Sequence, residues 1–364
     1  MKGKSGISLI VLVITIIIIT ILASAVILTL SNNNPIENAK KAVDANDESI
    51  RKEASTIAYA DWFLKENSGN PSGTSADEYV KIELEKQEID TDGLFVSDDG
   101  TIITNAPSVI PNGFEYLTGT VDTGFVIKNS TDGNEFVWIP VEEGTFVRES
   151  FQNTQLNTII YIEPYETTSY TSESAEYNAM VASVSKYGGF YMARYEASLN
   201  TSTNKAQSIA NQYPLENQSW GTSMTDVTGG VVQKAREVYP ENVAINEGDA
   251  ISTLPYGVQW DATIRFLKSN YDGIAQNSVG YGNYNSGAII KTGSNPSYAL
   301  NNIYDLAGNL YEWTMESYNN SYRVYRGGDY NRPGNADPVA CRDLVFEQGS
   351  GDDNKGFRLA IYVK

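Results

Sequence analysis

Asn302-Ile303-Tyr304-Asp305-Leu306-Ala307-Gly308-Asn309-Leu310-Tyr311-Glu312-Trp313-Thr314 is the stretch on which the fold turns. Gly308-Asn309 is a turn signal between two apolar runs. Asp305 and Glu312 flank it with carboxylates, and the turn exposes backbone carbonyls. Those are the oxygen donors that calcium gathers, roughly six to eight at a time. The competing reading is a hydrogen-bonded turn without metal, in which Glu312 pairs with an arginine. Trp313 reads as a core anchor, and so do Trp138 and Trp260, because large aromatics dominate core energetics.

Further along, Arg326-Gly327-Gly328 lets the backbone turn or approach a neighbour closely. Gly356-Phe357-Arg358-Leu359 opens a terminal strand in which Phe357, Leu359 and Ile361 alternate with Arg358, Ala360 and Tyr362, the pattern of a half-buried strand. Other strand candidates are Gly124 to Lys128, Glu135 to Val141, Phe190 to Tyr195 and Arg323 to Arg326. Tyr177, Met180, Val181, Val184 and Tyr187 mark an amphipathic helix that stops at Gly188-Gly189. Trp260, Ile264 and Leu267 mark a second helix, and Val231 to Tyr239 a third.

Several of these segments together resemble the formylglycine-generating, or sulfatase-modifying-factor, family. They are Phe136-Val137-Trp138-Ile139-Pro140-Val141, Gly189-Phe190-Tyr191-Met192-Ala193-Arg194-Tyr195-Glu196, Leu254-Pro255-Tyr256-Gly257-Val258-Gln259-Trp260-Asp261, the opening stretch, Arg326-Gly327-Gly328 and Gly356-Phe357-Arg358-Leu359. The resemblance implies an α+β unit of C-type-lectin-like fold over residues 113–364. It also implies calcium at Asp305, Gly308, Leu310 and Glu312, the middle two through their carbonyls, with Asp305 where the family more often has Asn. The family's oxidation chemistry uses a pair of cysteines to bind copper and engage a substrate thiol. This chain has only Cys341. A lone cysteine supplies no two-thiolate site, so no copper and no formylglycine synthesis are expected.

The segment between Gly328 and Gly356 has little periodicity, mixes Asp, Asn and Tyr, and carries the abrupt apolar trio Leu344-Val345-Phe346. Three consecutive apolar residues in a loop are either a buried strand or a contact surface. The segment resembles the variable region of proteins diversified by retroelements, whose varied residues sit on one exposed face of a lectin-type platform. Asp, Tyr, Asn, Ser, Cys, Leu, Val and Phe are all reachable by changing the adenines of an asparagine codon. On this reading the ligand-binding candidates are Asp329, Asn331, Arg332, Asn335, Asp337, Cys341, Asp343, Leu344, Val345 and Phe346.

At the other end, residues 1–6 are short and basic, and the chain is apolar from Ile7 to Leu30. As a helix that run spans about 36 Å, enough to cross a bilayer. Lys2 and Lys4 hold the N-terminus inside, so the remainder is exported. Lys4-Ser5-Gly6 followed by Ile7-Ser8-Leu9-Ile10-Val11 resembles a type IV pilin N-terminus, which implies cleavage between Gly6 and Ile7. The family's usual glutamate at the fifth mature position is Val11 here, which weighs against polymerisation. The rival is a signal-peptidase site at Ala23-Ser24-Ala25. Pro35 restarts a charged helix whose apolar stripe is Ile36, Ala39, Val43, Ile50, Ala54, Ile57 and Phe63. Residues 7–67 are thus expected as a transmembrane or pilin-like helix and amphipathic stalk, and residues 68–112 as a linker and small β-rich module.

The 364 residues carry a net charge of −19 and no histidine. The acidic balance argues against nucleic acid, and the missing histidine excludes Ser-His-Asp and Cys-His catalysis. The expected whole is a surface-displayed binding protein in a membrane or pilus, its partners an extracellular protein or glycan and, in a fibre, pilin subunits. Its loop face suits diversification. The alternatives are a formylglycine-generating enzyme and a structural minor pilin.

Overall fold

The structure, a computed structural model, describes residues 35–68, 71–149, 151, 171–222, 226–241, 244–319, 322–346 and 353–364. The leader, the apolar run, and the processing pair Gly6 and Ile7 lie outside the described residues. No described helix is long and apolar enough to cross a membrane. Contacts divide the chain into two units, one ending at Thr104 and the other running from Asn105 to Lys364.

The first unit opens with α1 (Pro35–Asn67), followed by α2 (Ala76–Glu85) and the hairpin β1 (Phe95–Val96) with β2 (Ile102–Ile103). A helix thus stands where a β-rich module was expected. Ala76, Val80 and Leu84 recur every four residues and are fully buried, and Ser75 caps the start by accepting from Glu78 N. α1 also differs from expectation. The residues it buries are Ser55, Ala58 and Trp62, whereas Val43, Ile50, Ile57 and Phe63 of the expected stripe are exposed. Ala58 and Trp62 join Val80, Leu84, Leu94 and Val96 in one core, so α2 and the hairpin select that face.

In the second unit β3 (Phe114–Thr118), β4 (Val126–Asn129) and β5 (Glu135–Pro140) form a meander, and α3 (Thr171–Tyr187) leads into β6 (Gly189–Ala193). Gly188, at φ +74, ends α3 in the left-handed conformation. A short hairpin, β7 (Ser198–Asn200) and β8 (Lys205–Gln207), precedes α4 (Val231–Arg236), β9 (Ala250–Thr253) and α5 (Gly257–Lys268). Then come the two-residue strands β10 (Ala299–Leu300) and β11 (Ile303–Tyr304), the long β12 (Tyr311–Asn319), β13 (Tyr322–Arg326), β14 (Arg342–Phe346), β15 (Lys355–Phe357) and β16 (Ala360–Val363).

Two sheets result. One has six strands in the order β3-β4-β5-β6-β16-β9, the other four in the order β14-β13-β12-β15. The expected terminal strand is therefore two strands, β15 pairing with β12 and β16 with β6 and β9. It is also not half-buried: every residue from Lys355 to Val363 is buried. β16 lies inside its sheet and β15 at the edge of the other, and both are covered, which the alternation of Arg358 and Tyr362 with apolar residues conceals. Trp138, Trp260 and Trp313 are buried as expected. The indoles of Trp260 and Trp313 donate to Val339 O and Gln218 O, both at 3.0 Å.

Arg358 sits where the chain leaves one sheet for the other, and it is fully buried. Its Nε donates to Glu312 Oε2 at 2.6 Å and its Nη2 to Glu312 Oε1 at 2.5 Å. Nη1 donates to Ala193 O of β6 and Nη2 to Tyr304 O of β11, each at 3.1 Å. One side chain thus ties the four-stranded sheet, the six-stranded sheet and the β10–β11 hairpin together. Removing one partner of a buried pair costs about 3–5 kcal/mol, because the other charge is left in the interior. Arg358→Met and Glu312→Leu should each lower denaturant stability by that order. The double variant should lose clearly less than the sum. Strict additivity in a chemical-denaturation cycle would count against the pair.

Candidate functional site

The Asp305–Glu312 turn is built on left-handed backbone. Asn301 and Asn302 sit at φ 44 and 65 in the β10–β11 connection, and Asp305, Gly308 and Asn309 follow at 53, 75 and 62. Asn and Asp tolerate this region better than most residues. At Gly308 a Cβ would fall 2.7 Å from Asn283 O. Asn309 is the hub of the turn. Its Nδ2 donates to Glu196 Oε2 at 2.5 Å, and its Oδ1 accepts from Asn283 Nδ2 at 2.9 Å and Ile290 N at 3.0 Å. Glu196 Oε1 accepts from Leu310 N at 3.2 Å. Asp305 Oδ2 accepts from Gly293 N at 2.8 Å and Thr292 Oγ1 at 3.2 Å, while its Oδ1 is buried with no partner.

Three buried carboxylates, Glu196, Asp305 and Glu312, therefore surround the single guanidinium of Arg358. Burial pushes the Glu196 carboxyl well up, and the neighbouring Asp305 and Glu312 charges push it further. Asp305 and Glu312 are raised by burial as well, although Arg358 opposes the shift in both. Of the four expected calcium ligands, Glu312 is committed to Arg358. The excess of negative charge and the unpartnered Asp305 Oδ1 fit a cation on the Asp305 side of the turn. Among the described residues, no three Cys, Asp or Glu side chains gather as a metal-holding group.

The expected ligand residues do not form one face. Asn331, Arg332 and Asn335 are exposed and Asp343 is half-buried. Asp329, Asp337 and Cys341 are buried, which corrects their place from contact surface to framework. Asp329 holds the loop from beneath: Oδ1 accepts from Asn331 N at 3.1 Å and Arg332 N at 3.0 Å, and Oδ2 from Asn354 Nδ2 at 2.5 Å. Tyr311 Oη donates to Asp337 Oδ2 at 2.6 Å. Burial, with the charges of Asp337 and Asp343, pushes the Cys341 thiol well up, so it stays protonated. Gly328, at φ +77, lies so close to Asp337 that a Cβ would meet its carbonyl oxygen at 2.1 Å. Leu344, Val345 and Phe346 belong to β14, in register with Val324, Arg323 and Tyr322 of β13. They are strand, not loop, because β13 supplies a paired edge.

A neighbouring segment shares this face and was not singled out in the sequence. Ser278 N donates to Gly334 O at 2.8 Å, Ser286 N to Tyr330 O at 2.9 Å and Asn285 N to Arg332 O at 3.2 Å. Asn277, Val279, Asn285 and Ser286 stand exposed beside the loop. Their signal was compositional. The run Asn277-Ser278-Val279-Gly280-Tyr281-Gly282-Asn283-Tyr284-Asn285-Ser286-Gly287 has the Tyr, Ser, Gly and Asn mixture of adaptable binding loops.

Beneath the loops lies a second buried charge network. Arg326 donates to Glu316 Oε2 at 2.9 Å and Asp261 Oδ1 at 3.0 Å, and its Nε holds Cys341 O at 3.0 Å. Arg342 reaches both Asp261 oxygens at 2.6 and 2.7 Å and Glu316 Oε1 at 3.0 Å. Arg148 adds a contact to Asp261 at 2.9 Å and another to Glu316. Burial alone would raise the Asp261 carboxyl, but Arg326, Arg342 and Arg148 outweigh it and hold it at about 2. Asp261 thus contributes stability that is present above the ordinary carboxylate range and lost as pH falls toward that value.

Comparison with curated proteins gives no match. Among solved structures the chain is similar to CarF, at 16% identity over 56% of this chain and 95% of that one, with a TM-score of 0.34. It is similar to PvdO from Pseudomonas aeruginosa, at 14% identity over 65% and 98%, with a TM-score of 0.36. A third is Treponema denticola variable protein 1, at 14% identity over 68% and 99%, with a TM-score of 0.34. Residues 126–363 match the family described as Sulfatase-modifying factor enzyme 1-like domain. With its α+β architecture of C-type-lectin-like kind, the chain belongs to that family.

Proposed function

We propose that the chain is a surface-displayed binding protein, which its apolar N-terminal run holds in a membrane or pilus. Cleavage after Gly6 would leave Ile7 at the mature N-terminus. The ligand is an extracellular protein or glycan, captured by the face that Asn331, Arg332 and Asn335 share with residues 277–286. The observation that carries this reading is the contrast within one loop. Those three side chains are exposed, whereas Asp329, Asp337 and Cys341 beneath them are buried and bonded. Residues 329–355 then serve as the segment open to diversification.

The family's oxidative chemistry is disfavoured on this reading. Cys341 is the single cysteine, and burial keeps it a thiol rather than the thiolate that a metal or nucleophile requires. A passive structural pilin leaves the large second unit without a task.

Replacing Asn331, Arg332 and Asn335 together with alanine should leave the melting transition nearly unchanged, since exposed substitutions stay within about 0.5 kcal/mol each. Peptides enriched from a phage-displayed library against the full chain, or glycans retained from an array, should bind the variant about tenfold more weakly, a change of about 1.4 kcal/mol. Ligands retained at full affinity would place recognition elsewhere.

Calcium belongs to the same proposal, at Asp305, the carbonyls of Gly308 and Leu310, and the remaining lone pairs of Glu312. Its support is the orphaned Asp305 Oδ1 and the surplus of buried carboxylates. An ion bound only by the folded state stabilises it by mass action. Calcium should therefore raise the melting temperature above that in chelator, and Asp305→Ala should blunt the response. Identical melts in chelator and in millimolar calcium would remove the ion from the reading.

A further inference from the structure

We propose that the exposed side of α1 pairs with the same helix of a second copy of this chain, as a parallel, in-register coiled coil. Ile36, Val43, Ile50, Ile57 and Leu64 recur at strict seven-residue intervals along α1. The four whose side chains are described are 58, 47, 65 and 67% exposed. α1 meets its own unit through Ser55, Ala58 and Trp62, with Ala54 and Tyr59 half-buried beside them, so the seam residues lie on a different side of the helix and Ala54 marks its edge. Single exposed apolar residues are ordinary on a protein surface. A period of seven held over five positions is not, because it is the spacing that keeps one seam turned toward a partner helix.

The sequence around the seam selects a second copy and a direction. With the five residues at the first heptad position, that position is apolar throughout and β-branched except at Leu64. The fourth position holds Ala39, Asn46, Glu53, Ala60 and Asn67. Small and polar residues there make the seam weak alone. In a parallel pair the flanking residues that face each other are Ala42 with Asp47, Ser49 with Ala54 and Thr56 with Asp61, so no like charges oppose on the flanks, while Glu53 in the seam meets its own copy and weakens the pair. An antiparallel pair centred on Ala54 would set Asp47 against Asp61 instead.

The apolar run ends at Leu30, just before Pro35 opens α1. Copies held by that run in one bilayer emerge side by side with α1 pointing the same way. Such tethering raises the effective concentration enough to populate a weak seam. This clause rests on the anchored reading given above; the seven-residue repeat does not.

Single cysteines placed at seam and off-seam positions test the pairing. The full chain would be reconstituted in phosphatidylcholine vesicles, checked for flotation, oxidised mildly with copper phenanthroline in air and run on a non-reducing gel. Ile50→Cys and Ile57→Cys should form disulfide-linked dimer several-fold faster than Asp44→Cys and Lys52→Cys. The parent chain should form none, because its Cys341 is buried. All four substituted positions are exposed, so the fold survives and circular dichroism confirms it. Ile57→Lys in the Ile50→Cys background should abolish the link, and Glu53→Leu should speed it. Seam-specific links in chains that fail to float would leave the pairing standing and remove the anchor. Absent links, or equal links at all four positions, overturn the pairing whether or not the vesicles float.

Discussion

The contact between Arg358 and Glu312 governs the second unit. A guanidinium with no access to water persists only if its donors are met, and here they reach three parts of the fold: β12, β6 and the β10–β11 hairpin. The strands on either side of Arg358 belong to different sheets. The arginine therefore fixes the relation of those sheets to one another. An apolar residue of the same volume would pack, but it would not select among ways of sliding one sheet past the other. Specificity of arrangement is a documented use of buried polar groups in some proteins.

The second network, of Arg148, Asp261, Glu316, Arg326 and Arg342, does comparable work under the loops. Arg326 and Arg342 lie at the end of β13 and the start of β14, so the segment between them leaves and re-enters the sheet at points clamped by the same two carboxylates. Arg326 also holds Cys341 O directly. A loop clamped at both ends, with Asp329 turning its backbone from below, leaves Asn331, Arg332 and Asn335 with little structural duty. Their identity can change at small cost to folding. That separation of support from surface makes a loop suited to recognition.

Much of this was legible in the sequence. The strands over Glu135, Phe190 and Arg323, the helices ending at Tyr187 and Lys268, and the buried Trp138, Trp260 and Trp313 follow from periodicity and aromatic placement. The pairing of Glu312 with an arginine was open as one of two readings. Which arginine could not be read, because Arg358 meets Glu312 across forty-six positions of chain and looks like the polar phase of an alternating strand. The same ambiguity hid the burial of Asp329, Asp337 and Cys341: a short polar residue in an aperiodic stretch reads as surface unless its partners are known. On α1 the apolar stripe was seen, but the side of the helix that its own unit covers depends on α2, which lies in the stretch read as a linker and small β-rich module. The run from Asn277 to Ser286 was visible only as composition, and composition does not say which loops lie side by side.

The position of β16 bears on how the molecule comes to exist. It is the last strand of its unit in chain order, yet it lies inside the six-stranded sheet, between β6 and β9. Until it is made, β6 and β9 have no common neighbour and Arg358 has no settled place. Contacts of such long sequence separation form late, because the loops they close must be ordered first. At about 5–20 residues per second of synthesis, the partly made unit stays open for on the order of ten seconds or more. During that interval the second unit lacks the strand that joins β6 to β9, while the first unit, with a core of its own, is already complete.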